Sequence, residues 1–170
     1  QAMTKKGLKA HIFASGSMML GAFEAQEMLL EYGVSADVWS ATNYKQLRTD
    51  AIRCDRYNML NPNKKAKKSY VESVLEEEDG VFVAVSDNMR LVPDQIEKWV
   101  PGGMFTLGTD GFGRSETREN LRRFFEVDTA SIVIGVLYQL SVKKKIKQDV
   151  VAKAIKKLGV NPKKVYPEFV

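Results

Sequence analysis

HIFASGSMMLGAFEAQEMLLEYGVSADVWSAT, residues 11–42, contains a strand, a turn, a helix and a second strand. Residues 11–16 form a short apolar run ending in Ser15-Gly16-Ser17, the pattern of a buried strand feeding a helix. The helix directs Leu20, Phe23, Met28 and Leu29 toward a core and closes at Gly33. A glycine there can take the left-handed conformation that ends a helix. Residues 36–42 are the second strand.

The same alternation continues downstream. Asn43 is placed to cap a polar helix over residues 44–60, and Asn61-Pro62-Asn63 with the following lysines forms a loop. Ser69 and Glu72 have capping-box spacing at the start of a short helix over 69–78. VFVAVSD, residues 81–87, is the most strand-like segment of the chain. Pro93 suits the first turn of a helix running to Trp99, and residues 103–110 are a further strand. Helices are expected over 115–125, 129–143 and 147–158, followed by an extended tail containing Pro162 and Pro167. Strands apolar on both faces, alternating with helices, predict an α/β fold: a mostly parallel sheet between two layers of helices. Four strands can be placed, with room for a fifth.

The chain has 170 residues, 44% of them hydrophobic, enough for one domain with a sizeable core. Gln1-Ala2-Met3 reads as a cloning scar, which leaves residues 4–170 as the domain and suggests a piece cut from something longer. The start has no secretory apolar region, and no apolar run approaches the ~18 residues of a membrane helix. Cys54 is the single cysteine, so no internal disulfide forms and a reducing compartment such as the cytoplasm fits. The net charge of +5 concentrates in residues 64–68 and 143–164. Such runs suit nucleic acid or an acidic protein face. The scarcity of interleaved aromatics argues against nucleic acid and favours solvated surfaces.

Candidate chemistry is sparse. His11, the only histidine, reads as a core or strand-end residue, because no converging triad or metal partners mark it. Ser15, Gly16 and Ser17 occupy a strand-to-helix turn of the kind that can hold an anion, without the full dinucleotide or Walker pattern. GTDGFGRSETRENLRRFFEVD, residues 108–128, is richer. Asp110 follows a strand, Ser115 is placed as a helix cap, and Arg114, Arg118 and Arg122 recur every fourth residue along one face. Like charges at that spacing repel by a few tenths of a kcal/mol per pair, roughly, so an acidic partner is expected. Glu119 can answer Arg122 or Arg123, and an external carboxylate or phosphate the remainder. Leu121, Phe124 and Phe125 form the packing face.

Phe112-Gly113-Arg114-Ser115, Leu121, Phe125 and Ile132-Val133 resemble the C-terminal domain of transketolase-type thiamine enzymes. Residues 40–62 and 108–128 more closely resemble the homodimeric bacterial pyruvate dehydrogenase decarboxylating component, along essentially the whole chain. The resemblance implies a three-layer α/β/α domain whose five-stranded sheet contains one antiparallel strand. It implies a parent enzyme that decarboxylates pyruvate on thiamine diphosphate with magnesium and then acetylates lipoyl groups. The family holds both cofactors, its catalytic histidines and its activating glutamate in other domains. The magnesium motif GDG with a distant Asn-Asn is absent from this sequence, and Gly108-Thr109-Asp110-Gly111 has no such downstream pair. This domain is then left with assembly, binding no cofactor itself. Its implied partners are the other domains, the second subunit and the dihydrolipoyl acetyltransferase core, with no membrane. A regulatory anion- or nucleotide-binding module on the helix starts and the Arg114, Arg118 and Arg122 face is the alternative.

Overall fold

The strands of the sheet are β1 (Leu8–Ala14), β2 (Val34–Ser40), β3 (Val81–Val85) and β4 (Met104–Leu107), in the spatial order β2-β1-β3-β4. Every pairing is parallel. The computed structural model describes residues 7–169, so Gln1-Ala2-Met3 lie outside the described residues. All five residues of β3 are buried, as expected of a strand covered on both faces. β3 enters beside β1 through Gly80, at φ 128°, where a Cβ would stand 2.3 Å from the Lys9 carbonyl oxygen. Only glycine fits so close a backbone approach.

Helices α1 (Met19–Leu30), α2 (Tyr44–Leu60), α3 (Tyr70–Leu75), α4 (Leu91–Asp94), α5 (Arg118–Phe124), α6 (Thr129–Val142) and α7 (Gln148–Lys157) supply the outer layers. One core lies between the sheet and α1, α6 and α7, built on Ile12, Val83, Val85, Val136 and Leu140. The other lies beneath α2 and α3, built on Phe13, Phe82, Ala84, Tyr44 and Leu75. The local signals at helix starts hold: the Asn43 side chain accepts from the Gln46 amide at 2.9 Å, and Ser69 with Glu72 forms a reciprocal capping box. Gly33 closes the turn after α1 at φ 70°.

Several expectations fail for reasons of packing. Leu20 and Phe23 point to solvent; Leu29 is buried as expected, and α1 otherwise buries Gly21, Ala22 and Ala25. Small residues let α1 lie close to α6, where the Thr129 hydroxyl would be 3.5 Å from a Cβ on Gly21. The segment around Pro93 is not one helix: α4 is followed by a separate 3-10 turn, Glu97–Trp99. The tail is not extended but folds into turns and the 3-10 turn Pro167–Phe169. Among the described residues the sheet has four strands, all parallel, and the antiparallel fifth is not among them. Pro162 and Pro167 leave the tail without two of the donors a ladder needs. By length and composition Arg118–Val142, 25 residues, is apolar enough to cross a membrane, contrary to the reading above. Here it is broken between α5 and α6, and Ile132, Val133, Val136, Leu137 and Leu140 are the buried core of the sheet.

Candidate functional site

The chain leaves β1 toward β2 on one side and returns to β3 on the other. The connections after β1 and β3 therefore diverge, and a crevice opens beyond the carboxyl ends of the two strands. Open α/β sheets hold their ligands at such a point. Ser17 stands after β1 and Asp87 after β3, joined by a hydrogen bond of 3.0 Å from Ser17 Oγ to Asp87 Oδ2. Thr109, after β4, donates from its hydroxyl to the Asp87 carbonyl at 3.0 Å. Gly108 lies so tightly on the loop after β3 that a Cβ would be 2.6 Å from the Arg90 nitrogen.

Asp110 then ties three segments together. Its Oδ1 accepts from the Arg90 amide at 3.0 Å, and its Oδ2 lies 3.0 Å from the Tyr166 hydroxyl and 3.3 Å from Arg90 Nε. The Arg90 guanidinium also lies over the Tyr166 ring, 5.2 Å from its centre. Asp110 thus answers Arg90.

Those arginines do not form one continuous helical stripe. Arg114 precedes α5 in an exposed loop, with its guanidinium 4.8 Å from the centre of the Phe124 ring. Ser115 is exposed in the same loop and is not the cap: Thr117 caps α5, its hydroxyl accepting from the Asn120 amide at 3.4 Å. The sequence from Ser115 to Thr117 holds two hydroxyl residues, and backbone geometry selects the second. Only Arg118 and Arg122 share the helix face. Arg122 Nη2 donates to the Ser17 carbonyl at 2.6 Å, while Arg118 forms no ion pair among the described residues. Glu119 pairs with neither Arg122 nor Arg123 among them. Leu121 and Phe124 pack half-buried and Phe125 is buried, as the sequence suggested. Lys164 fastens the far end of α5, donating to the Arg123 carbonyl at 3.0 Å and also to that of Phe124.

The crevice so formed has a volume of about 410 Å³. Ser17, Arg114, Arg118 and Arg122 line it, and Asp87, Thr109 and Glu116 complete its polar wall. Met18, Leu121, Phe125 and Val127 form the apolar part. Asp110, Ser15, Gly16 and Ser115 stay outside it. Gly16 supplies the turn, at φ 49°, and Ser15 makes no side-chain cap bond. Asp87, Thr109 and Glu116 escaped the sequence reading, although Asp87 and Thr109 each sit just past the end of a strand, where site residues gather in this architecture.

A second cluster lies beside the middle of β1 and β2 and the residues just before β3. Ligand atoms of His11, Asp37 and Glu78 fall within 4.8 Å of one another. Fully buried His11 accepts at Nδ1 from Trp39 Nε1 at 3.1 Å and is 3.0 Å at Nε2 from the Asp79 carbonyl. That pattern assigns the ring proton to Nε2 and occupies both nitrogens. Lys9 stands between the carboxylates, 2.5 Å from Glu78 and 3.4 Å from Asp37. The hydrogen bond to Glu78 raises the pKa of Lys9 above its ordinary value; desolvation opposes this and Asp37 adds to it. In this cluster Lys9 pairs with both carboxylates beside a buried histidine.

The family model described as the transketolase-like TK C-terminal domain matches residues 2–128. The chain belongs to this family. It is 41% identical over 167 residues to a protein named pyruvate dehydrogenase E1 component from Pseudomonas aeruginosa, covering 96% of the chain and 19% of that protein. The Escherichia coli K12 protein of the same name is 40% identical over 163 residues, and that of Mycobacterium tuberculosis 42% over 161. The chain spans less than a fifth of the length of these relatives: 19%, 18% and 17%. Among solved structures it resembles a split-gene transketolase described as an inactive β4 tetramer, with TM-score 0.53, 19% identity and coverage of 81% of this chain and 41% of that one. Transketolase from Campylobacter jejuni matches with TM-score 0.50 and 19% identity, over 79% of this chain and 17% of that one. These likenesses agree with the α/β fold of a transketolase C-terminal domain.

Proposed function

We propose that this transketolase C-terminal-type domain is the non-catalytic assembly domain of a pyruvate dehydrogenase E1 enzyme. The observation that carries the reading is the match itself: relatives at about 40% identity cover 96% and 95% of the chain, yet the chain is under a fifth of them. It is one domain's worth of a much longer enzyme. The parent decarboxylates pyruvate on thiamine diphosphate with magnesium, in the cytoplasm, and acetylates the lipoyl groups of a dihydrolipoyl acetyltransferase core. Its other domains hold both cofactors.

The surface supports an assembly role. Met89, Leu91, Phe112 and Phe169 are 54%, 66%, 82% and 77% exposed. The segments that carry them are joined through Asp110 with Arg90 and Tyr166, and through Gly111 against Pro167 and Glu168. Large apolar residues exposed on neighbouring segments are a common mark of a surface buried in a larger assembly. The parent's remaining domains and its second subunit are the natural occupants.

Titration calorimetry of the 170-residue chain with thiamine diphosphate and magnesium is expected to give no stoichiometric, micromolar binding, and the chain no turnover of pyruvate. Stoichiometric, micromolar cofactor binding would sink the reading.

A further inference from the structure

We propose that the crevice between β1 and β3 is a binding site for a small anion, a phosphate or carboxylate group on a compact metabolite, with Arg118 as its principal ligand. The site lies where the strand order reverses, the place an open α/β sheet leaves for a ligand. Its volume of about 410 Å³ falls within the range of small-molecule pockets.

One cation within it, Arg118, has no acidic partner among the described residues. Arg114, Arg118 and Arg122 face Asp87 and Glu116. Both carboxylates already accept donors from their own chain: Asp87 from the Ser17 hydroxyl at 3.0 Å, Glu116 from the Thr117 amide at 2.8 Å. Arg122 is held in place by the Ser17 carbonyl at 2.6 Å, and Arg114 by the Phe124 ring. Arg118 projects from the first turn of α5 with no acidic partner among the described residues. A guanidinium presents paired N–H donors whose spacing matches the oxygens of a phosphate or carboxylate. Met18, Leu121, Phe125 and Val127 remove water from one side, which strengthens each ionic hydrogen bond. An anion here also relieves the mutual repulsion of the arginines.

This site is independent of the assembly reading, since it concerns a cavity within one chain and would stand if the parent enzyme proved to be another. The test is amide NMR of the 170-residue chain, titrated at constant ionic strength with inorganic phosphate and separately with succinate. Saturable shifts are expected around Ser17, Thr109 and Arg118. Arg118→Ala should weaken binding by about tenfold or more. Arg118→Lys should restore part of the loss, because the charge returns without the fork. Lys153→Ala, on exposed α7, should change nothing. Saturation by phosphate alone, or by succinate alone, supports the site and names its ligand class. Shifts that do not saturate and spread over the lysine-rich surface would overturn it. So would an Arg118→Ala chain that titrates like the parent.

Discussion

Tyr166 donates its hydroxyl proton to Asp110 Oδ2 at 3.0 Å across 56 positions of sequence. The same carboxylate meets Arg90 through backbone and side chain. One aspartate thereby joins the loop after β3, the loop after β4 and the tail. Asp110→Ala should destabilise the chain by about 2–3 kcal/mol, since it removes a partly buried acceptor of several bonds and strands Arg90. Asp110→Asn should cost less, because one carbonyl oxygen remains. Urea denaturation measures both. A loss below about 0.5 kcal/mol for the alanine variant, the size of an ordinary surface substitution, would contradict this account.

Two tyrosines make stability fall on the alkaline side. Burial pushes the Tyr44 phenol well above its ordinary pKa. Burial, and then the hydrogen bond to Asp110, raises Tyr166. A raised folded pKa means that the unfolded chain loses its protons first, from about pH 10. The contribution is therefore complete below about pH 10 and declines as pH rises toward the folded values. Tyr166→Phe should flatten that decline. Tyr44 Oη is buried with no hydrogen-bond partner among the described residues. Tyr44→Phe should thus flatten the decline and also stabilise the chain at neutral pH by up to about 1 kcal/mol. Denaturation midpoints measured from neutral to strongly alkaline pH decide the point; a Tyr44→Phe chain less stable at neutral pH would refute it.

Lys144 ends α6 in the left-handed conformation, at φ 56°, between the bonds Lys144 N to Ser141 O and Lys145 N to Leu140 O. This is a glycine position in a helix-ending motif. Lys144→Gly should stabilise by about 0.5–1 kcal/mol, the left-handed strain of a side chain less the extra freedom of unfolded glycine. Lysine to glycine inside a helix would do the reverse. Glu126, at φ 58° after α5, should gain less, because its carboxylate lies 3.3 Å from Lys164. A higher urea midpoint for Lys144→Gly than for the parent chain is the expected result.

The sequence by itself determined the features that depend on neighbours three or four residues apart. The Asn43 cap, the Ser69–Glu72 box, the Gly33 stop and the strand–helix alternation of residues 11–42 were all legible, because each is a local bond or a local period. The stretches around residues 40–62 and 108–128 were legible by resemblance, as long motifs in the family's order. Tertiary structure decided the rest. Leu20 and Phe23 look like core residues on a helical wheel, but α1 packs by its small residues and turns them outward. Arg114 looks like the first of a helical stripe, but Thr117 caps α5 and leaves it in a loop. The crevice brings Ser17 to Asp87, 70 positions on, and to Arg122, 105 positions on. No local signal encodes those pairings. They follow from the strand order β2-β1-β3-β4, which depends on how both faces of the sheet are buried and which alone makes β1 and β3 neighbours.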